Sequence, residues 1–270
     1  MTPFLVSLVV TLLAAPAVRW LLLHRGVLDV PNHRSSHTAP TPRGGGLACM
    51  LGVVVALVSA QVLGRQVPWL TAAAAIALGV IGLVDDRLGL SPVVRLGGQV
   101  AAGLVMGLAA GSGWLMLAGA LVAPVVVNVV NFMDGINGIT GLSVGVWGAT
   151  AWLVGLSVSA EPVWVLGAAT AGAALGFLPW NAPTARLFLG DVGSYLFGGL
   201  IAAGIVVGIA NEASPLLLGA PLALYLADTG TVLLRRALRG DKLMTAHREH
   251  VYQKLALGTG THLPLSLIHI

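Results

Sequence analysis

Charge is what this sequence has least of. Of its 270 residues only 9% are Asp, Glu, Lys or Arg, and the mean hydropathy is +0.92. Soluble domains carry about 25% charged residues, so a soluble globular chain is excluded and lipid becomes the main solvent for the surface. Cysteine is nearly absent. The lone Cys49 lies in an apolar run, which excludes an intrachain disulfide and reads as helix packing. Alternation of apolar and polar residues is missing as well. The apolar runs are continuous and rich in Ala, Leu and Gly, which excludes a strand barrel. No Lys/Arg run interleaved with aromatics occurs, so the net charge of +4 reads as membrane anchoring and no nucleic acid partner is expected. A basic n-region before the first apolar run is also lacking, so that run reads as a span rather than a cleavable signal peptide.

What remains is a series of apolar runs, each near the roughly 20 residues that cross a bilayer as a helix. Nine candidate spans are expected: Phe4–Leu23, Gly45–Leu63, Leu70–Val84, Leu96–Ala110, Trp114–Val130, Ile139–Ser157, Val163–Leu178, Tyr195–Ile209 and Leu216–Leu234. The fold class is therefore all-α, a polytopic integral membrane protein, with residues 1–255 forming one transmembrane domain. The 36 glycines suit close helix packing, and Gly141–Gly145 and Gly172–Gly176 match the GxxxG pattern.

The connections alternate in character. Residues 64–68, 111–113, 160–162 and 210–215 are short and nearly free of basic residues. Residues 24–44, 85–95, 131–138, 179–194 and 235 onward are longer, and they hold Arg25, Arg34, Arg43, Arg87, Arg95, Arg186, Arg235, Arg236, Arg239, Lys242, Arg248 and Lys254. Only Arg65 falls on the other side. The positive-inside rule then places the polar side in the cytoplasm and the N-terminus outside. Asp29, Asp85, Asp86, Asp134, Asp191, Asp241 and Glu249 share the polar side. A transporter would place ionisable groups near the midplane; here Asp228 is alone inside a span and no inverted repeat is apparent.

Five stretches concentrate the chemistry. Asp85 and Asp86 close the third span, and two like charges at a lipid-buried helix end call for a cation, either a metal or a basic side chain. The plainer reading is an ion pair from Asp86 to Arg87 or Arg95. In DVPNHRSSHTAPTPRGGG, Asp29–Gly46, Arg34, His37 and Arg43 are candidate phosphate contacts, or part of a basic anchoring loop. In NVVNFMDGINGITG, Asn128, Asn131 and Asp134 recur every third residue and would share one face of a continuing helix; Gly135 and Gly138 then break it. In FLPWNAPTARLFLGDVGS, Asp191 is either an N-cap or a metal ligand, and Asn181 adds an amide. In HREHVYQKL, His247 and His250 are three apart and suit phosphate binding or acid/base work; a zinc site is not indicated. Asp228 reads as a structural hydrogen bond or ion pair.

In order along one face, these stretches resemble the polyprenyl-phosphate N-acetylhexosamine-1-phosphate transferases, glycosyltransferase family 4. This superfamily starts O-antigen, enterobacterial common antigen and teichoic acid assembly and includes the phospho-MurNAc-pentapeptide translocase. NVVNFMDGINGITG, with its NxxNxxDGxxG pattern, and FLGDVGS carry the resemblance most specifically. HREHVYQKL is similar to the O-antigen-initiating branch. Arg95 stands where many relatives have Lys, keeping the charge.

The resemblance implies a Mg²⁺-dependent enzyme, with Mn²⁺ as an alternative ion. It would transfer N-acetylhexosamine-1-phosphate from a UDP-sugar to undecaprenyl phosphate or another polyprenyl phosphate, release UMP and start a cell-surface polysaccharide at the bacterial inner membrane. By motif position Asp191 would hold the metal, and Asp85 or Asp86 would position the lipid phosphate or take its proton. Asn128, Asn131, Asp134 and Asn137 would line the nucleotide-sugar pocket, with Asn181 on the same face. Arg43, His247 and His250 would face phosphates. Direct attack by the lipid phosphate and a covalent aspartyl step are both open. Relatives often form dimers, which leaves a homodimer open, and the sequence itself is silent on oligomeric state. Residues 256–270 are expected to be a truncated or non-native tail, whose closing LPLSLIHI resembles adapter read-through on a truncated gene. The alternatives to the enzyme are therefore a transporter and an inactive truncated relative.

Overall fold

The computed structural model describes residues 1–31, 39–241, 250–252, 255 and 263–268. Helices α1 (Thr2–His24), α2 (Gly46–Val62), α3 (Trp69–Leu88), α4 (Pro92–Ala109), α5 (Gly113–Met133), α6 (Ile139–Ser157), α7 (Glu161–Asn181) and α8 (Gly190–Ala210) follow the first eight expected spans. Among the described residues eight helical segments are long and apolar enough to cross a membrane, and α2 is a shorter apolar helix. The chain is thus an all-α polytopic membrane protein.

The ninth span differs from expectation. It is broken into α9 (Pro215–Gly219), a 3₁₀ turn at Ala220–Leu222 and α10 (Ala223–Leu238). Pro221 has no N–H to continue the ladder and its ring crowds the preceding turn. A short helix α11 (Leu263–Ile268) also packs on the bundle, where Leu265 joins Val129, Met133, Ile136, Ile139, Tyr225 and Tyr252 in one cluster. Strand structure among the described residues is a single two-residue ladder, β1 (Leu28–Asp29) antiparallel to β2 (Thr41–Pro42).

Helix ends obey local chemistry. Ser91 caps α4 by accepting from Val94 N, with Pro92 in its first turn. Gly89 ends α3 at φ +62°, its N–H donating to Asp85 O.

Helix α8 is buried along nearly its whole length, packed by α3, α5, α2, α7, α4 and α6. Small residues let the backbones meet. A Cβ on Gly103 would lie 2.1 Å from Gly119 O, and one on Gly119 would lie 2.2 Å from Gly103 O, so α4 and α5 cross back to back. Of the two GxxxG matches, Gly172 and Gly176 abut the backbone of α1 at Phe4 and Leu8, whereas Gly141 and Gly145 meet the side chains of Leu178 and Leu175. The first pair is a backbone contact and the second an ordinary side-chain seat.

Polar ends gather on one side of the bundle. The loop after α1 joins the loop before α8 through Gly44 N and Gly45 N to Phe188 O and Phe188 N to Pro42 O. Gly138 N, before α6, donates to Asn181 at the end of α7. At the other end Arg65 pairs with Glu161 at 3.3 Å and lies over the Trp164 ring.

Candidate active site

Three helix ends and one loop converge on two carboxylates. Asp86 comes from the last turn of α3 and Asp191 from the first turn of α8. Arg43, from the strand-ended loop, bridges them: Nε lies 2.9 Å from Asp86 Oδ1 and Nη2 lies 2.8 Å from Asp191 Oδ1. Asn131, near the end of α5, donates from Nδ2 to Asp191 Oδ1 at 2.9 Å and to Ser194 Oγ at 2.9 Å. Val192 N donates to Asp86 Oδ2 at 3.1 Å. A carboxylate in the first turn of α8 also faces the positive end of the helix dipole.

The balance of charge at this point is negative. One guanidinium faces two carboxylates, with Asp29 and Asp134 near enough to act on it. Burial would lower the Arg43 pKa, but Asp191, Asp86 and Asp29 more than reverse that and raise it. Asp134 caps the end of α5, where burial pushes its carboxyl up to about 6 against the opposing Thr140 hydrogen bond of 2.6 Å and the Arg43 charge. By surface area Asp134 is only half-buried; the protein atoms packed around it, rather than complete enclosure, cause the shift.

The donor set fits a hard divalent cation in part. Asp86 Oδ1 is buried and, despite the nearby Arg43 Nε, has no aligned hydrogen bond. Among the described residues no three His, Cys, Asp or Glu side chains close around one point. The protein thus offers two carboxylates, and substrate oxygens and water would complete the shell, as suits Mg²⁺.

Asp85 and Asp86 do not act as a pair. Asp85 turns away from Asp191. It accepts from Leu90 N at 2.8 Å, Arg95 Nη1 at 3.2 Å and Tyr195 Oη at 3.2 Å. The salt bridge to Arg95 belongs to Asp85, and Asp86 takes its cation from Arg43 instead. Successive helical residues point about 100° apart, so only one of the two can face Asp191.

The remaining sequence candidates divide. Asn128 donates to Gln99 Oε1 and Pro124 O, both at 2.7 Å, toward α4. It does not share a working face with Asp134, because α5 stops at Met133 and Asp134 leaves helical geometry. Asn137 donates to Pro183 O, and Asn181 accepts from Gly138 N and donates to Leu187 O, so both brace loops. His250 is buried, with Nδ1 3.5 Å from Asp228 Oδ1. Arg34, His37 and His247 lie outside the described residues.

Asp228 has a more definite role than its position in a span suggested. It accepts from Val251 N at 3.0 Å and Tyr252 N at 3.5 Å, as a helix cap does. Tyr252 Oη donates to Phe132 O at 2.9 Å, tying the segment to the end of α5. Removing the cap by Asp228→Ala is expected to cost about 1–2 kcal/mol locally. Amide exchange at Val251 and Tyr252 should then quicken by roughly tenfold or more; unchanged exchange would remove the capping role.

Several site residues escaped the sequence reading: Ser194, Tyr195, Thr140, Gln99 and Tyr252. Ser194 could have been found three residues after Asp191, on the same face of α8. Gln99 is the one polar side chain in an otherwise apolar stretch of α4, which in a membrane marks a partner.

The sequence model of glycosyl transferase family 4 matches residues 68–209. The chain is 32% identical to a decaprenyl-phosphate N-acetylglucosaminephosphotransferase of Mycobacterium tuberculosis, over 98% of this chain and 77% of that protein. It is 26% identical to a probable undecaprenyl-phosphate N-acetylglucosaminyl 1-phosphate transferase of Bacillus subtilis, over 99% and 80%. A phospho-N-acetylmuramoyl-pentapeptide-transferase of Moorella thermoacetica is 32% identical over 86% and 82%. The matched stretch 68–209 spans the positions of Asp86, Asn131 and Asp191, and the chain belongs to glycosyl transferase family 4.

Proposed function

We propose that the protein transfers N-acetylhexosamine-1-phosphate from a UDP-sugar to a polyprenyl phosphate, releasing UMP, at the cytoplasmic face of the bacterial inner membrane. The observation that carries this is the Asp86–Arg43–Asp191 bridge at the end of the apolar bundle, buttressed by Asn131. A lipid phosphate and a water-soluble diphosphate can meet only at such a boundary. The relatives' names, with polyprenyl phosphates and N-acetylglucosamine phosphate, support the same chemistry. The basic residues gathered at this end, Arg25, Arg43, Arg87, Arg95 and Arg186, support its cytoplasmic placement and an N-terminus outside.

In the reaction an acceptor phosphate oxygen bonds to the sugar-bearing phosphorus of the donor. The bond from that phosphorus to the bridging diphosphate oxygen breaks, and UMP departs. Mg²⁺, held by Asp191 with Asp86 alongside, would supply charge stabilisation at the diphosphate. Asn131 fixes the Asp191 rotamer, and Ser194 fixes Asn131. Arg43 provides a planar fork of donors for phosphate oxygens. Asp86 is the better placed of the two adjacent acids for handling the lipid phosphate, since Asp85 is consumed by Arg95, Tyr195 and the Leu90 amide.

Membranes containing the protein, undecaprenyl phosphate, Mg²⁺ and a panel of UDP-N-acetylhexosamines should release UMP and form a lipid-linked sugar. Failure of both products across the panel, from protein shown to be folded and inserted, would remove this reading.

A further inference from the structure

Within the bridge, the carboxylates are fixed and the cation is not. Asp86 Oδ2 is held by Val192 N, and Asp191 Oδ1 by Asn131 Nδ2. Arg43 is tied down only at its backbone, where its N–H donates to Val27 O and it bridges to Phe188. Its side chain is 40% exposed, against 5% for Asp86 and 20% for Asp191. A long, part-exposed side chain on an anchored backbone can swing away from two carboxylates that other donors hold.

The guanidinium also occupies the oxygens a metal would need. Nε faces Asp86 Oδ1 and Nη2 faces Asp191 Oδ1. Asp86 Oδ1 is buried and Asp191 Oδ1 is the oxygen that Asn131 holds, and two cations cannot share them without strong repulsion. One positive charge against two negative ones leaves the pair under-neutralised, which a divalent ion corrects.

We infer that Arg43 is a resident counter-cation, which neutralises Asp86 and Asp191 in the ligand-free enzyme and yields them to the divalent ion. The inference rests on the metal reading above. Once displaced, Arg43 stays within side-chain reach and turns its fork to the donor diphosphate that arrives with the ion. Metal and donor therefore bind with positive coupling, because the donor takes up the guanidinium that the metal expels. Arg43 thus offsets the repulsion between two close carboxylates when the site is empty and discourages metal binding without substrate.

The test measures Mn²⁺ binding by the loss of the free-ion electron paramagnetic resonance signal. It uses the purified full chain in detergent, with and without UDP-N-acetylglucosamine. Arg43→Gln is expected to bind Mn²⁺ about tenfold tighter than wild type without donor, since no charged hydrogen-bonded bridge has to be broken. Added donor should tighten Mn²⁺ in wild type and do so much less in Arg43→Gln. Arg43→Lys, a point charge unable to span both acids, should fall between the two. The double variant Arg43→Gln/Asp191→Asn should lose the gain.

Arg43→Gln binding Mn²⁺ no tighter than wild type, with binding still dependent on Asp191, overturns the counter-cation role and leaves the metal reading standing. If Arg43→Gln does not fold, Arg43→Lys decides in the same way: tighter binding supports the role and equal or weaker binding overturns it. No Asp191-dependent Mn²⁺ binding in any variant, with or without donor, overturns both.

Discussion

Asp191→Asn is expected to abolish sugar-phosphate transfer while leaving the protein folded in the membrane. The two side chains have nearly the same shape, so the amide still accepts from Asn131 Nδ2 at the oxygen that now receives it. What disappears is the negative charge. It faces Arg43 Nη2 at 2.8 Å and is the charge proposed above to hold a divalent ion. Asp86 still pairs with Arg43 through Nε, so no buried cation is left without a partner and the fold should survive. Loss of one electrostatic group at a reacting centre commonly costs 10²–10³-fold in kcat, and a drop of at least about that size is expected in UMP release. Size-exclusion behaviour and thermal unfolding should stay close to wild type. Activity within tenfold of wild type would take Asp191 out of the reaction.

Gly82→Ala should be nearly as damaging, through geometry alone. Gly82 faces the start of α8, and a Cβ there would lie 2.2 Å from Asp191 O, 2.5 Å from Asp191 C and 2.8 Å from Val192 N. These are backbone atoms, and the Val192 N–H is committed to Asp86. They can make room only if α3 and α8 separate where both carboxylates are mounted. Overpacking of this kind typically costs about 1–3 kcal/mol. A shift on the order of 1 Å at the site can cost a further 10²-fold in rate. Thermal unfolding and UMP release should therefore both fall. Gly97→Ala is the matched control, because Gly97 sits in α4 with nothing within 4 Å of its added Cβ. It should leave activity unchanged. If both variants behave alike, the α3–α8 contact does not position the site.

Much of this architecture was readable from the chain. Lipid asks one thing of a spanning segment, an unbroken apolar helix that satisfies its own backbone, and that demand is local. Phe4–Leu23 or Ile139–Ser157 therefore announce themselves by composition. The ninth span was read as continuous because Leu, Ala and Gly are apolar on both sides of Pro221, and a helix break leaves hydropathy unchanged.

The site was legible as a set of residues and much less as a set of partners. Asp86, Asp191, Asn131 and Arg43 were all candidates, because carboxylates and amides at helix ends are costly unless used. Asp85 was a candidate for the same reason, and nothing local separates it from its neighbour. Asp228 was recognised as needing a partner, but its donors, the amides of Val251 and Tyr252, lie more than twenty residues away. GxxxG at Gly141–Gly145 looked as able to seat a helix backbone as Gly172–Gly176, and only the second pair does so.

By itself the sequence determined that this chain is a helical membrane protein with its polar chemistry on one face, since hydropathy, helix length and positive charge act residue by residue. Tertiary structure alone decided which of two adjacent acids faces Asp191, which loop supplies the cation that bridges Asp86 and Asp191, and which glycine holds α3 against the start of α8. Those choices depend on how helices rotate and cross, and a rotation of about 100°, invisible in composition, exchanges Asp85 for Asp86.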